Sequence, residues 1–173
     1  KEVSEHMMLV DLERNDIGRV SRVGSVRWHG WRIESHPTVH HMVSDIRGLL
    51  REDLDGWDAL QALFPGGSIT GAPKIRAMEI IDELEPVIRG PYAGCLGYLG
   101  FNRESQFNIL IRTAVCRDGT AWFHVGAGIV ADSDPAAEYE ETLNKAAGWL
   151  AALNLPASAL PLSPATESPN LRA

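Results

Sequence analysis

Three strand-like runs follow one another with no helix between them, at residues 93–101, 106–117 and 120–131, and the last two meet at Asp118-Gly119. Asp-Gly between two β-rich segments is a hairpin signal, because the tight turn needs positive φ at both central residues. Parallel strands need a long crossover, so strands in direct succession pair antiparallel. Two more β-branched and aromatic runs, Arg19–Trp28 and Thr38–Leu50, precede them. Helical patterns fall at residues 2–14, Asp55–Phe64, Ala72–Glu85 and Pro135–Leu153. Grouped strands and grouped helices exclude a βαβ alternation. The expected class is α+β, with mostly antiparallel sheets flanked by helices.

Local punctuation sets the boundaries. Asn15-Asp16-Ile17-Gly18 reads as a stop and turn after the first helix. Asp55 is the expected N-cap of the second, since its carboxylate can accept from unsatisfied first-turn amides. Pro65-Gly66-Gly67-Ser68 reads as a loop. Pro73 falls near the first turn of the next helix, where a missing N–H costs nothing, and Pro86 and Gly90-Pro91 end it. No internal repeat is present. Residues 1–153 are expected to form the packed part. Residues 154–173, with Pro156, Pro161, Pro164 and Pro169, are expected to be a flexible Pro-rich tail. The chain opens at Lys1 with a helical pattern already under way and no signal-peptide pattern, so it is expected to be a piece of a larger protein.

Composition narrows the function. A hydrophobic fraction of 45% suffices for a packed core. Asp plus Glu number 23 against 16 Lys plus Arg, a net charge of −7, which argues against nucleic-acid backbone binding as the main activity. No run of about 18 apolar residues exists, so no transmembrane helix is expected. Cys95 and Cys116 make no disulfide framework and no CxxC pair, which favours a reducing, cytoplasmic compartment.

Several constellations bear on chemistry. In the last helix Tyr139, Leu143, Ala146, Ala147, Leu150 and Leu153 form an apolar stripe. Glu138, Glu141 and Lys145 lie on a second stripe, expected to be rotated away from it. A solvated face with a Glu141–Lys145 pair is the plain reading. The first helix repeats the acidic spacing with Glu2 and Glu5, here on the side of Leu9 and Leu12. Carboxylates turned toward a core need a cation or hydrogen-bond donors. Two such pairs on two helices could hold one hard cation, and Mg²⁺ takes one or two direct carboxylates and keeps several waters. Gly66–Lys74 fails the phosphate-loop pattern, because Ala72-Pro73 follows Gly71 where Lys-Ser/Thr is required. A glycine-rich approach to a helix, with hydroxyls from Ser68 and Thr70, remains as either an anion site or an ordinary helix start. Residues 11–22 lack the glycine and final glutamate of a calcium loop. His40 and His41 point to opposite faces of a strand, so His36, His40 and His41 do not make a zinc trio. Arg112 in the apolar run 108–113 needs a carboxylate, either a structural partner or a ligand. Gly126-Ala127-Gly128, at an expected strand end, allows close backbone approach to a ligand or a simple bulge.

Taken in order, Glu5–Asp16, Thr38–Ser44, Ser68–Lys74, Ile111-Arg112-Thr113, Gly126–Ser133 and Glu138–Thr142 resemble the chorismate-binding subunits of anthranilate synthase and aminodeoxychorismate synthase. The resemblance covers roughly residues 1–153. It implies a dianionic substrate, chorismate, and Mg²⁺ as cofactor. Glu5 and Glu141 would be metal ligands, with Glu2 and Glu138 holding metal-bound waters. Tyr92 and Arg112 would hold the enolpyruvyl carboxylate, with backbone of Gly126, Ala127 and Gly128 beside it. Lys145, Ser68 and Thr70 would line the ring end, and His41 would face the reacting ring as a polar or proton-transferring group. A dianion in an acidic protein needs such cations and a divalent metal.

Within the family, the run Leu99–Ile109 resembles the aminobenzoate branch more than the tryptophan branch. That implies amination of chorismate to 4-amino-4-deoxychorismate, with ammonia from a glutamine amidotransferase partner. The branch-defining Lys or Ala lies in a Pro-Ile-Lys-Gly-Thr motif that is absent from this chain. As a piece without that upstream half, the chain alone is expected to be inactive. Anthranilate synthesis with pyruvate release is the near alternative. A non-catalytic anion-binding or assembly module is the distant one.

Overall fold

The computed structural model describes residues 2–36 and 40–156, and of Glu2 the backbone only. The Thr38-Val39 part of one motif and residues 157–173 of the expected tail lie outside the described residues. The chain divides into two compact units: Lys1–Leu84 with Gly97–Gln106, and Glu85–Leu96 with Phe107–Ala173. Among the described residues there are helices and three two-stranded sheets, an α+β architecture as expected. No described helix is long and apolar enough to cross a membrane.

The first unit is organised on α1 (Glu2–Gly18), which packs against the two strands and the two short helices that follow it. Val10 and Val20 are buried, and so is the acid Asp16. α1 therefore runs straight through Asn15-Asp16-Ile17-Gly18, which local signals mark as a stop. Asp16 is an interior helical residue because its charge is met by Lys74, 58 positions away. The expected strand Arg19–Trp28 shrinks to one bridge, Ser21 to Leu50. A turn in which the Ser25 amide donates to the Arg22 carbonyl, with Gly24 at φ +72, interrupts it. Strand β1 begins only at Arg27 and runs to Ser35; β2 spans His40–Arg47. They pair antiparallel, Ser35 opposite His40 and Trp28 opposite Ile46, with an irregularity between Trp28 and Trp31 where Gly30 has φ +84.

Helix α2 (Gly56–Leu63) starts as expected. Asp55 accepts from the Trp57 and Asp58 amides, and Asp58 accepts from the Asp55 amide, a full capping box. Residues expected as loop are partly helical: α3 (Gly67–Thr70) is a single turn, followed by α4 (Lys74–Leu84).

In the second unit the expected strand 106–117 is two strands. The hairpin β3 (Cys95–Leu99) and β4 (Ser105–Ile109) is closed near its base by two backbone bonds, the Leu110 amide donating to the Gly94 carbonyl and the Ala93 amide to the Leu110 carbonyl, and its tip belongs to the first unit. Arg112, at φ 50, breaks the ladder before β5 (Ala114–Arg117). β5 pairs antiparallel with β6 (Thr120–Phe123) across Asp118 at φ 51 and Gly119 at φ +76, the expected hairpin turn. β6 stops at Phe123, so Gly126-Ala127-Gly128 lies beyond the strand in irregular chain, not at its end. Helix α5 (Pro135–Ala152) is capped by Asp134 with Pro at its start. Its buried residues are Glu138, Ala146 and Leu150, while Tyr139 and Leu153 are exposed. The buried stripe is thus rotated from the expected apolar one and includes an acid. Glu138 tolerates burial because the Ser133 hydroxyl donates to its Oε1 at 2.5 Å.

Candidate functional site

Each unit carries its own set of expected site residues. In the first, Glu5 lies half-buried on α1, and among the described residues its carboxylate takes part in no hydrogen bond or ion pair. The helix turn bearing it is fixed by its neighbour. His6 Nε2 bonds Ser44 Oγ at 2.7 Å, and Trp28 Nε1 donates to the same oxygen at 3.1 Å, so one serine ties α1 to both strands. His41 is exposed on β2, its ring 5.1 Å from that of His36. His40 turns elsewhere, Nδ1 to Ser35 Oγ, as strand alternation requires.

Ser68 and Thr70 both belong to α3, which is held by acids of α1. Asp16 Oδ2 accepts from the Gly67 amide at 3.1 Å and from Lys74 Nζ at 2.9 Å. Glu13 Oε1 accepts the Ser68 hydroxyl at 2.7 Å. Gly67 is needed for this fit, since a Cβ there would lie 3.2 Å from Leu12 Cβ and 3.4 Å from Asp16 Oδ2. Thr70 donates to backbone carbonyls of Gly66 and Gly71. Both hydroxyl protons are committed to the protein, so toward a ligand these side chains present lone pairs. Asp16, Glu13 and Lys74 were not expected as site residues. Their positions in the Glu5–Asp16 and Ser68–Lys74 motifs carried the signal.

The second unit joins several expected residues directly. Lys145 Nζ donates to the Gly126 carbonyl at 2.9 Å and pairs with Glu141 at 2.6 Å. That uses two of its three N–H donors and leaves one. The Tyr92 hydroxyl abuts Gly126: a Cβ at Gly126 would come within 2.7 Å of it. The group packed close against this glycine is thus a side chain of the protein itself. The Tyr92 ring stacks on His124 at 5.5 Å between centroids, and the Arg89 guanidinium lies 5.6 Å from the same ring. Arg89 is itself clamped by Glu85, whose hydrogen bonds hold its pKa above the ordinary value. Arg89 and His124 were not foreseen, although His124 lies two residues before Gly126. Glu138 reaches this segment through Ser133, whose hydroxyl oxygen also accepts from the Val130 amide at 3.1 Å.

Arg112 is exposed, and among the described residues it has no ion pair or hydrogen bond to these groups. It is not a core arginine in a strand, and the structural salt bridge is not found. Ala127 is half-buried and Gly128 exposed. Among the described residues no three His, Cys, Asp or Glu side chains are grouped to hold a metal. Mg²⁺ does not require such a cage, since one or two carboxylates and waters serve it. A half-buried Glu5, without a partner among the described residues, and an exposed Glu141 are donors of the right type.

Residues 1–151 match the family described as chorismate binding enzyme. The chain is 53% identical over 156 residues to aminodeoxychorismate synthase component 1 of Bacillus subtilis (strain 168), covering 90% of this chain and 33% of that protein. It is 54% identical over 154 residues to anthranilate synthase component 1 of Acetivibrio thermocellus, covering 88% and 31%. The crystal structure of anthranilate synthase component I from Streptococcus pneumoniae TIGR4 is similar with a TM-score of 0.78 and 47% identity, over 84% of this chain and 34% of that one. The chain spans about a third of the length of these relatives. With nearly all of its described length matched, this chain belongs to the chorismate binding enzyme family.

Proposed function

We propose that this chain supplies part of an active site for Mg²⁺-dependent amination of chorismate to 4-amino-4-deoxychorismate, with ammonia from a glutamine amidotransferase subunit or domain. The observation that carries the chorismate reading is the joined set of Tyr92, Gly126, Lys145 and Glu141 in one unit. It offers a hydroxyl, an ammonium donor and a carboxylate within the stretch that matches the family. Tyr92 and Arg112 bind the enolpyruvyl carboxylate; Arg112 is exposed, and its guanidinium can take it bidentately. Lys145 keeps one donor for the substrate. Ser68 and Thr70 accept hydrogen bonds from the ring end, and His41 moves or holds a proton there. Glu5 and Glu141 are the metal ligands, with Glu2 and Glu138 on its waters. Bound there, Mg²⁺ would neutralise the ring carboxylate and assist departure of the ring hydroxyl. The proposed setting is the cytoplasm, with Cys95 and Cys116 both free thiols.

The amination branch is favoured by the run Leu99–Ile109. A second reading, anthranilate synthase component I, is favoured by relatives of that name at similar identity. The test is product analysis with the intact protein that carries this chain, given chorismate, Mg²⁺ and ammonia. Amination leaves the enolpyruvyl group in place, so no pyruvate is expected. Pyruvate released in step with chorismate consumption, together with anthranilate, would select the second reading.

A further inference from the structure

Asp16 is only 6% exposed, yet it bears a charge in the last turn of α1. A carboxylate so placed persists only if other groups neutralise it. Lys74 does so from the start of α4, and the Gly67 amide gives a second bond from the start of α3. Glu13, one turn earlier on α1, takes the Ser68 hydroxyl. Thus α3 is gripped at its first two residues by acids of the helix that bears Glu5. A single helical turn has almost no stability of its own, so its geometry is set by these contacts.

We propose that Asp16, together with Lys74, is a positioning residue: the pair fixes the α3 turn, and with it Ser68 and Thr70, relative to α1. Lys74 is accordingly a structural cation and not a ligand for the substrate, although it sits in the glycine-rich segment where an anion site was open. This inference rests on the proposed chorismate chemistry, because it assigns the pair's effect to Ser68 and Thr70 at the ring end of the substrate.

The test uses the intact protein, with Tm, kcat and KM for chorismate measured together. Asp16→Asn retains an acceptor for the Gly67 amide but loses the ion pair. Below its Tm it is expected to lower kcat/KM about tenfold or more, since small misplacements of positioning groups cost that much. The decisive readout is coupling. In a protein already carrying Ser68→Ala and Thr70→Ala, Asp16→Asn should cost nothing further, because the groups it positions are gone. A folded Asp16→Asn protein with unchanged kcat/KM, or a full multiplicative loss on the double-alanine background, overturns the proposal. Lys74→Arg keeps the charge but not the geometry and guards against a fold failure. It should show the same pattern, and wild-type kcat/KM there would equally overturn it. Glu5→Gln is the control for the underlying reading. Activity that survives Glu5→Gln breaks the chorismate reading itself, whereas loss in Glu5→Gln with normal Asp16→Asn breaks the positioning claim alone.

Discussion

Helices α1 and α5 carry the same acidic spacing, yet their glutamates live in different environments. On α1, Glu5 is half-buried with no partner among the described residues. On α5, Glu138 is buried and fixed by the Ser133 hydroxyl, and Glu141 is half-exposed and paired with Lys145. Different in surroundings, these acids share one sequence pattern. The pattern identifies which residues can meet a cation. Their surroundings decide which are already spoken for by the protein.

Mutations at these acids sharpen or break the contrast. Glu5→Gln should lower Mg²⁺-dependent chorismate turnover by about a hundredfold or more while leaving urea stability nearly unchanged, since no partner among the described residues is orphaned. Steady-state kinetics and a denaturation curve on the intact protein check both halves. Glu138→Ala should do the reverse in part: it strands the Ser133 hydroxyl and should destabilise the fold by about 2 kcal/mol. Chemical denaturation reads this, and an unchanged midpoint would erase the distinction between the helices. Lys145→Met removes the bond to the Gly126 carbonyl and the cation beside Glu141. It should raise KM for chorismate about tenfold, the value of one charge-assisted bond.

The smallest effect concerns a residue away from the site. Hydrogen bonds from the Asp58 and Trp57 amides hold the Asp55 carboxyl below its ordinary pKa. Because the folded value is lowered, its contribution to stability is fully present above the unfolded aspartate pKa. It is lost as pH falls through the lowered folded value. Asp55→Asn should flatten that acid limb of the stability curve and leave neutral-pH activity intact.

What the sequence showed was local. The Asp55 cap, the Asp118-Gly119 turn and the start of α5 at Pro135 are complete within a few residues, and each stands as read. What it hid depended on distant partners. Asn15–Gly18 carries every local mark of a helix end, but Asp16 is drawn inward by Lys74 and the Gly67 amide. Arg112 looked like a buried strand residue because its neighbours are apolar; its left-handed backbone turns the segment out of the ladder. The buried face of α5 was misjudged because Ser133 makes burial of Glu138 tolerable, and hydropathy does not register a single hydrogen bond. For the site, residue types and order were legible through the family resemblance. The contacts linking Tyr92 to Gly126, and Gly126 to Lys145, bridge 34 and 19 positions and needed the fold.

The central claim is that one acid from each of these helices serves a single Mg²⁺ ion that recruits chorismate. Calorimetric titration of Mg²⁺ into the intact protein, with chorismate present, tests it most directly. The account predicts a binding isotherm for the wild type that is lost in Glu5→Gln and lost equally in Glu141→Gln. Unchanged Mg²⁺ affinity in either folded variant would contradict it.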